Sequence, residues 1–106
     1  MPLHIIYLNL KDGVIEAEFA RKVKESFDYT EGKVEGFGPW KLYRHHFFGA
    51  NPRMYQIHTE FKDLGTWQNV TVLLTKDAKA VKLWQAWQNL VDMNSHYDEF
   101  IREIPL

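Results

Sequence analysis

The chain has 106 residues, enough to bury one hydrophobic core but too few for two, so we expect residues 1–106 to form a single domain. Its 13 Lys and Arg against 14 Asp and Glu give a net charge of −1, so we expect no nucleic-acid partner. The chain has no Cys, which excludes disulfides, thiolate nucleophiles and Cys-ligated metals and makes the cytoplasm the expected compartment. Aromatic residues make up 15 % of the chain, and the fold has to explain them.

The first two predicted elements are a strand and a helix. The apolar run Leu3 to Leu10 predicts a strand buried on both faces, and it is far too short to cross a membrane. Asp12 follows in a turn and is a candidate helix cap. Apolar residues then recur every four positions from Ile15 to Phe27, which predicts a helix that ends near Gly32.

Two extended segments follow and predict a hairpin. Residues 40–48 are rich in aromatic side chains and end at the loop Gly49 to Pro52, after which residues 53–62 alternate in polarity. If this loop pairs Phe48 with Arg53, two cross-strand pairs share one face: His45 with Gln56, and Tyr43 with His58. A one-residue slip would instead bring Arg44 and His46 to that face.

The last third of the chain predicts two helical segments and a final strand. Asp63 is a candidate cap for a helix that begins at Leu64, although Val70 to Val72 would also suit a strand. Residues 77–91 have a clear apolar stripe and predict a second helix. Residues 97–104 alternate and predict the last strand. We expect His4 and His96, near element ends, to be surface or interface residues.

This order of elements predicts an α+β fold, a ferredoxin-like plait: a four-stranded antiparallel sheet with the helices on one face. In a monomer the other face would be polar. Instead, apolar residues occupy both alternating sets of the first two strands: Leu3, Ile5 and Tyr7 against Ile6, Leu8 and Leu10, and Tyr43 and Phe47 against Leu42 and Phe48. An apolar second face of this size predicts a homodimer that packs sheet against sheet.

The predicted face-to-face packing gives the aromatic residues two uses. Helix–sheet packing accounts for one group: Phe19, Phe27, Phe61, Trp84 and Trp87. The other group lies on the second face: Tyr7, Tyr43 and Phe47.

The chain resembles the dimeric α+β barrel proteins, in which two ferredoxin-like subunits pack their sheets around a cavity. The resemblance lies in Ile57-x-Thr59-Glu60-Phe61-x-Asp63-Leu64-x-x-Trp67 and in the later Lys82-Leu83-Trp84 helix. Within this superfamily, the chain is similar to the ethyl tert-butyl ether degradation, NIPSNAP-type and antibiotic-biosynthesis monooxygenase groups. Haem-degrading members use an Asn on the first strand, which Asn9 matches, a sheet Trp and a helical His. Strand three has no Trp and the helix over 77–91 has no His, so we expect no haem and no other cofactor.

The second face carries the candidate site. Because Tyr55, Ile57 and Phe61 suit the helix-covered side, the alternate residues of strand three should face the cavity between subunits. The candidate pocket comprises His58 and Glu60 as catalytic residues and Tyr7, Asn9, Tyr43, His45 and Gln56 as substrate-binding residues. A carboxylate near His58 would favour its charged form and make it a workable general base. The alternative is that His58 and Glu60 form a structural pair or a dimer contact.

A metal site is a further alternative, since His45, His58 and Glu60 imitate a set of two His and one carboxylate. No supporting residue behind these ligands is identifiable, so we expect no metal.

Two functions follow from the sequence. The first is a small-molecule-binding homodimer of the dimeric α+β barrel type: a cofactor-independent oxygenase, isomerase or lyase that acts on an apolar or aromatic substrate. The second is a non-catalytic homodimeric binding or accessory protein, and the sequence does not decide whether the chain is an enzyme.

Overall fold

A computed structural model of the chain describes residues 2–46 and 53–106 and contains four strands and three helices there. In chain order they are β1 (Leu3–Leu10), α1 (Glu16–Lys33), β2 (Phe37–Arg44), β3 (Tyr55–Phe61), α2 (Leu64–Lys76), α3 (Ala78–Gln88) and β4 (Val91–Ile101). The strands form one antiparallel sheet in the order β2-β3-β1-β4. This is the ferredoxin-like plait that the sequence predicts. Among the described residues, none of the helices has the length and hydropathy needed to span a membrane.

The hydrophobic core lies between the sheet and the helices. One alternating set of strand residues is buried against the helices: Ile6 and Leu8 of β1 and Tyr55, Ile57 and Phe61 of β3. The helices contribute large aromatic side chains, and Phe27 stacks on Trp84 with ring centroids 4.7 Å apart. The predicted use of Phe19, Phe27, Phe61, Trp84 and Trp87 in this core is confirmed.

A bulge near the start of β2 decides which of its side chains face the helices. The pairing of β2 with β3 shifts between Phe37 and Trp40, and Gly38 has a φ of 102°, a conformation that favours glycine. Phe37 and Trp40 therefore both pack on the helix side, although residues three positions apart in a regular strand lie on opposite faces. Arg44 also lies on this side and forms an ion pair with Glu16 of α1 at 3.5 Å.

The register of the hairpin differs by two residues from the predicted register. Tyr43 lies opposite Gln56, Lys41 lies opposite His58, and the backbone N–H of His45 donates to the carbonyl of Met54. A shift of two keeps every side chain on its predicted face, because side chains alternate with a period of two. The predicted Phe48–Arg53 pair and the second-face position of Phe47 lie outside the described residues.

One of the predicted helix caps is wrong. Helix α1 begins at Glu16, and its N-terminal boundary residue, Ile15, makes no side-chain cap hydrogen bond. Asp12 lies three residues before this boundary, in a turn with Gly13, whose φ is 81°. By contrast, Asp63 caps α2 as predicted, and its carboxylate accepts from the backbone N–H of Thr66 at 2.9 Å.

Strand β4 begins six residues earlier than predicted. Val91 and Asp92 already pair with β1, but between the Asn9–Asp92 and Tyr7–Tyr97 pairs the register shifts, and residues 93–96 form a wide irregularity. The Ser95 hydroxyl accepts from the Asn9 backbone N–H at 2.8 Å inside it. Residues 93–96 form a bulge and therefore lack the polarity alternation of a regular strand. For this reason their sequence resembles that of a turn.

The expectation that His4 is a surface or interface residue is wrong, because its side chain is buried under α2 and β4. Its ring stacks on Phe100 at 4.5 Å and meets Phe61 and Trp67 at 5.7 and 5.0 Å. Asp98 lies 3.3 Å from His4 Nε2.

His96 is half-buried, and its Nε2 lies 2.9 Å from the same Asp98 carboxylate. The hydrogen bond that His96 donates to Asp98 raises the pKa of His96 despite its burial. Burial alone would raise the pKa of Asp98, but the hydrogen bonds from the two histidines outweigh it and hold this pKa well below its usual range.

Candidate functional site

The face of the sheet opposite the helices, here called the open face, carries the predicted site residues. The cross-strand pairs arrange its side chains in rows that run across the sheet. One row contains Tyr43, Gln56, Tyr7 and Tyr97, and the next contains Lys41, His58, Ile5 and Glu99. The open face therefore has an aromatic row beside a row that holds a lysine, a histidine and a carboxylate.

Two side chains of β3 and one from the residue that follows β2 form a hydrogen-bonded series, the His–Gln–His chain. His58 Nε2 lies 2.7 Å from the Gln56 carboxamide oxygen. The carboxamide nitrogen of Gln56 contacts Nε2 of His45. The Tyr43 ring packs against the His58 ring with centroids 4.6 Å apart. The structure thus brings together four of the seven predicted residues in direct contact.

A cavity of about 190 Å³ adjoins the His–Gln–His chain on the open face. Its lining consists of Leu3, Pro39, Lys41, Tyr43, His58 and Glu60. Lys41, opposite His58 on β2, and Glu60, two positions after it on β3, bring opposite charges to the cavity, whereas Leu3, Pro39 and Tyr43 supply apolar surface. A hollow that combines apolar walls with a few convergent polar groups is typical of a small-molecule site.

The electrostatics of His58 differ from the sequence-based expectation. Burial lowers its pKa, whereas a neighbouring carboxylate would raise it. Within the described residues, the hydrogen-bond partner of His58 is Gln56 and not Glu60, which is exposed. A neutral amide therefore takes the place that the sequence assigned to a carboxylate, and the imidazole is neutral near pH 7.

The other predicted residues lie along β1, towards the opposite side of the open face. Burial and then a hydrogen bond to Glu99 raise the pKa of Tyr7, whose ring lies 5.5 Å from that of Tyr97. The Asn9 side-chain oxygen accepts from the backbone N–H of Met54 at 2.7 Å. This bond ties β1 to the start of β3, so at least the oxygen of Asn9 has a structural use.

The sequence patterns do not identify three residues of the open face: Lys41, Tyr97 and Glu99. Lys41 lies two positions before Tyr43, and extending the same alternation back by one step would have found it. Tyr97 and Glu99 were missed because the irregular part of β4 hides the pairing that sets its faces. No local sequence signal identifies which β4 residues meet Tyr7.

The arrangement suits proton transfer. A neutral imidazole in a partly desolvated cavity can take a proton from an acidic C–H or O–H group, and the imidazolium can return it to the product. The Lys41 ammonium lies across from His58 in the same cavity and would stabilise the anion that deprotonation leaves.

The three residues of the metal alternative are not grouped as metal ligands. Within residues 2–46 and 53–106, no three His, Asp or Glu side chains are arranged to hold a metal ion. The metal alternative for His45, His58 and Glu60 is therefore not supported. Gln56 bonds to Nε2 of both histidines, so these two nitrogens already have a partner other than a metal ion.

The sheet order and the single helical layer define a ferredoxin-like fold. Comparison of the fold with solved structures agrees with this assignment. No family model matches the chain, and no curated protein matches its sequence.

Three solved structures illustrate the similarity. SnoaB, a cofactor-independent oxygenase from Streptomyces nogalater, superposes with a TM-score of 0.71 at 10% identity, over 99% of this chain and 94% of that chain. A hydroxynitrile lyase from Passiflora edulis gives 0.67 at 10% identity, over 99% and 96% of the two chains. A dimeric ferredoxin-like protein of unknown function from Jannaschia sp. gives 0.72 at 8% identity, over 96% and 98%. At these identities the comparisons establish the fold alone.

Proposed function

We propose that this chain forms a homodimer whose open face is a small-molecule site, and that His58 acts there as a general acid/base without a cofactor. The observation that carries the proposal is the His–Gln–His chain beside a cavity on the face that the helices leave uncovered. The proposed reactions are of the oxygenase, isomerase or lyase type on an apolar or aromatic substrate. Each of these begins with removal of a proton from carbon or oxygen.

Large apolar side chains on the open face support the homodimer. Tyr43, Tyr97 and Ile101 are 44%, 47% and 45% exposed in the isolated chain. Such a surface is typical of a face that another subunit covers. A similar fold occurs in the Jannaschia protein, which is described as dimeric. A second copy would also close the shallow cavity at His58 and reduce its contact with water, which strengthens electrostatic interactions in the site.

Each site residue has a proposed role. His58 takes the substrate proton, Lys41 stabilises the resulting anion, and Glu60 at the rim of the cavity exchanges protons with solvent. The substrate ring packs on the aromatic row, with Tyr43 and Tyr7 as the main contacts. The remaining predicted residues, His45, Gln56 and Asn9, orient the site through hydrogen bonds.

Two probe reactions test the proposal. Oxygen uptake with anthrone reports oxygenase chemistry on an enolisable polycyclic ring, and benzaldehyde release from mandelonitrile reports lyase chemistry on an aromatic hydroxynitrile. We expect turnover of at least one probe and a loss of about 100-fold or more in kcat for His58→Ala.

His46→Ala is the matched control, because it removes a neighbouring histidine that is not in the His–Gln–His chain. Its kcat should stay within about twofold of the unchanged protein. Undiminished turnover in His58→Ala would disprove the acid/base role.

A non-catalytic binding or accessory role is the second candidate. The mutual hydrogen bonding of His45, Gln56 and His58 favours it, because Gln56 already joins Nε2 of both histidines in the absence of a substrate. Binding of 2-naphthol to the open face, measured by shifts of the Gln56 and His58 side-chain resonances, together with no turnover of either probe, would support this candidate.

A further inference from the structure

The Gln56 carboxamide joins two histidines through chemically different ends. Its oxygen lies 2.7 Å from His58 Nε2, and its nitrogen contacts His45 Nε2. A carboxamide oxygen only accepts hydrogen bonds, and a carboxamide NH2 only donates them. His58 Nε2 must therefore carry a proton, and His45 Nε2 must not.

We infer that Gln56 is a positioning residue that holds His58 as the Nε2–H tautomer, so that Nδ1 is the nitrogen that accepts the substrate proton. Within the described residues, Nδ1 of His58 has no hydrogen-bond partner, so its lone pair is available. The same carboxamide holds His45 as the Nδ1–H tautomer. The assignment of the two tautomers depends only on the geometry of the substrate-free protein. The role of Nδ1 in proton transfer rests on the proposed function.

The surroundings of His58 keep this ring neutral. Lys41 and Tyr43 face it from β2, Glu60 follows it on β3, and Ile5 lies opposite it on β1. Burial lowers the pKa of the imidazole, and the neutral Gln56 oxygen does not offset this as a carboxylate would. A neutral ring with its proton directed at Gln56 has a single basic nitrogen, Nδ1.

The identity of residue 56 should therefore control both the proton position and the basicity of His58. A glutamate at this position would accept from both histidines, so both rings would hold a proton on Nε2 and the His58 pKa would rise. A leucine would remove both hydrogen bonds while keeping a similar volume. His58 would then lose its fixed tautomer.

Nitrogen-15 NMR of the imidazole rings in the substrate-free protein tests the inference directly, since protonated and unprotonated ring nitrogens resonate far apart. In the unchanged protein, above the His58 titration midpoint, we expect the proton on Nε2 of His58 and on Nδ1 of His45. Gln56→Leu should give averaged His58 signals. Gln56→Glu should raise the midpoint by about one pH unit or more.

Gln68→Glu is the matched control, because Gln68 is exposed on α2. This variant should leave both tautomers and the His58 midpoint unchanged.

Two results would overturn the inference. One is a resting proton on Nδ1 of His58 in the unchanged protein, and the other is an unaltered, single tautomer in Gln56→Leu. If the first result is found while His58→Ala abolishes turnover, the inference about Gln56 fails and the proposed function stands. If the tautomers are as expected while His58→Ala keeps full turnover, the proposed function fails and the tautomer assignment stands.

Discussion

Thr30 and Thr59 show how differently two completely buried hydroxyl groups are used in this core. The Thr30 hydroxyl donates to the carbonyl of Ser26 at 2.8 Å and accepts from the indole N–H of Trp84 at 2.8 Å. The Thr59 hydroxyl has no hydrogen-bond partner among the described residues. Removing a hydroxyl that serves a buried donor leaves the donor unsatisfied, whereas removing an unpartnered hydroxyl does not.

We therefore predict opposite results for the same substitution at these two positions. Thr30→Val should lower the free energy of unfolding by about 1–3 kcal/mol, because the Trp84 N–H loses its acceptor inside the core. Thr59→Val should be neutral or slightly stabilising, because β3 favours a β-branched apolar residue there. Urea denaturation of both variants provides the measurement. Equal losses in the two variants would contradict this account of the Trp84 hydrogen bond.

Helix starts are set by which carboxylates reach the first free backbone N–H groups. Asp63 serves α2 in this way. Asp77 serves α3, and its Oδ1 accepts from the backbone N–H groups of Lys79 and Ala80 at 2.9 and 3.0 Å. Asp77 also accepts from the Tyr29 hydroxyl at 2.7 Å, which connects α1 to the start of α3. Asp12 is also an aspartate that precedes a helical pattern, but it does not cap α1.

Alanine substitution of Asp63 and of Asp12 distinguishes an aspartate that caps a helix from one that only precedes a helical pattern. Asp63→Ala should lower the free energy of unfolding by about 1 kcal/mol, because the first turn of α2 loses an acceptor. Asp12→Ala should change it by less than about 0.5 kcal/mol, because it is an exposed turn residue. Chemical denaturation measures the free energy of unfolding of both variants, which are compared at equal m-values. A cost at Asp12 as large as that at Asp63 would contradict the assignment of the α1 start.

The whole subunit has one protected sheet face and one open face, and the proposed homodimer follows from this asymmetry. The open face has exposed aromatic and aliphatic residues at both edges of the sheet, with Tyr43 on β2 and Tyr97 and Ile101 on β4. Burial of these side chains by a second copy would remove apolar surface from water, the main driving force of association.

A charge on the open face should therefore separate the subunits. Ile101→Glu should weaken dimerisation by about tenfold or more, because the carboxylate would lose its hydration in the interface. Val72→Glu is the matched control, since Val72 is 50% exposed but lies on α2 in the helical layer. Sedimentation velocity at micromolar concentration reports both variants. A monomer in the unchanged protein would disprove the homodimer.

The sequence by itself determined the order of elements and the face on which most side chains lie. Period-two alternation in β1 and β3 assigned Ile57 to the core and His58 to the open face, because this alternation depends only on neighbouring residues. The four-residue spacing of Phe19, Val23 and Phe27 likewise predicted α1 and its buried side. The predicted hairpin register is wrong by two residues, and this error leaves the faces unchanged.

Only the tertiary structure decided what these side chains contact. The partner of His58 is Gln56 rather than Glu60, and His4 is buried in an aromatic cluster, because strand register and bulges act between segments far apart in the chain. The bulge in β4 brings Tyr97 and not a nearer residue opposite Tyr7. Local patterns specify period and face, whereas contacts across the sheet depend on where each strand starts to pair, which the packing of the whole subunit sets.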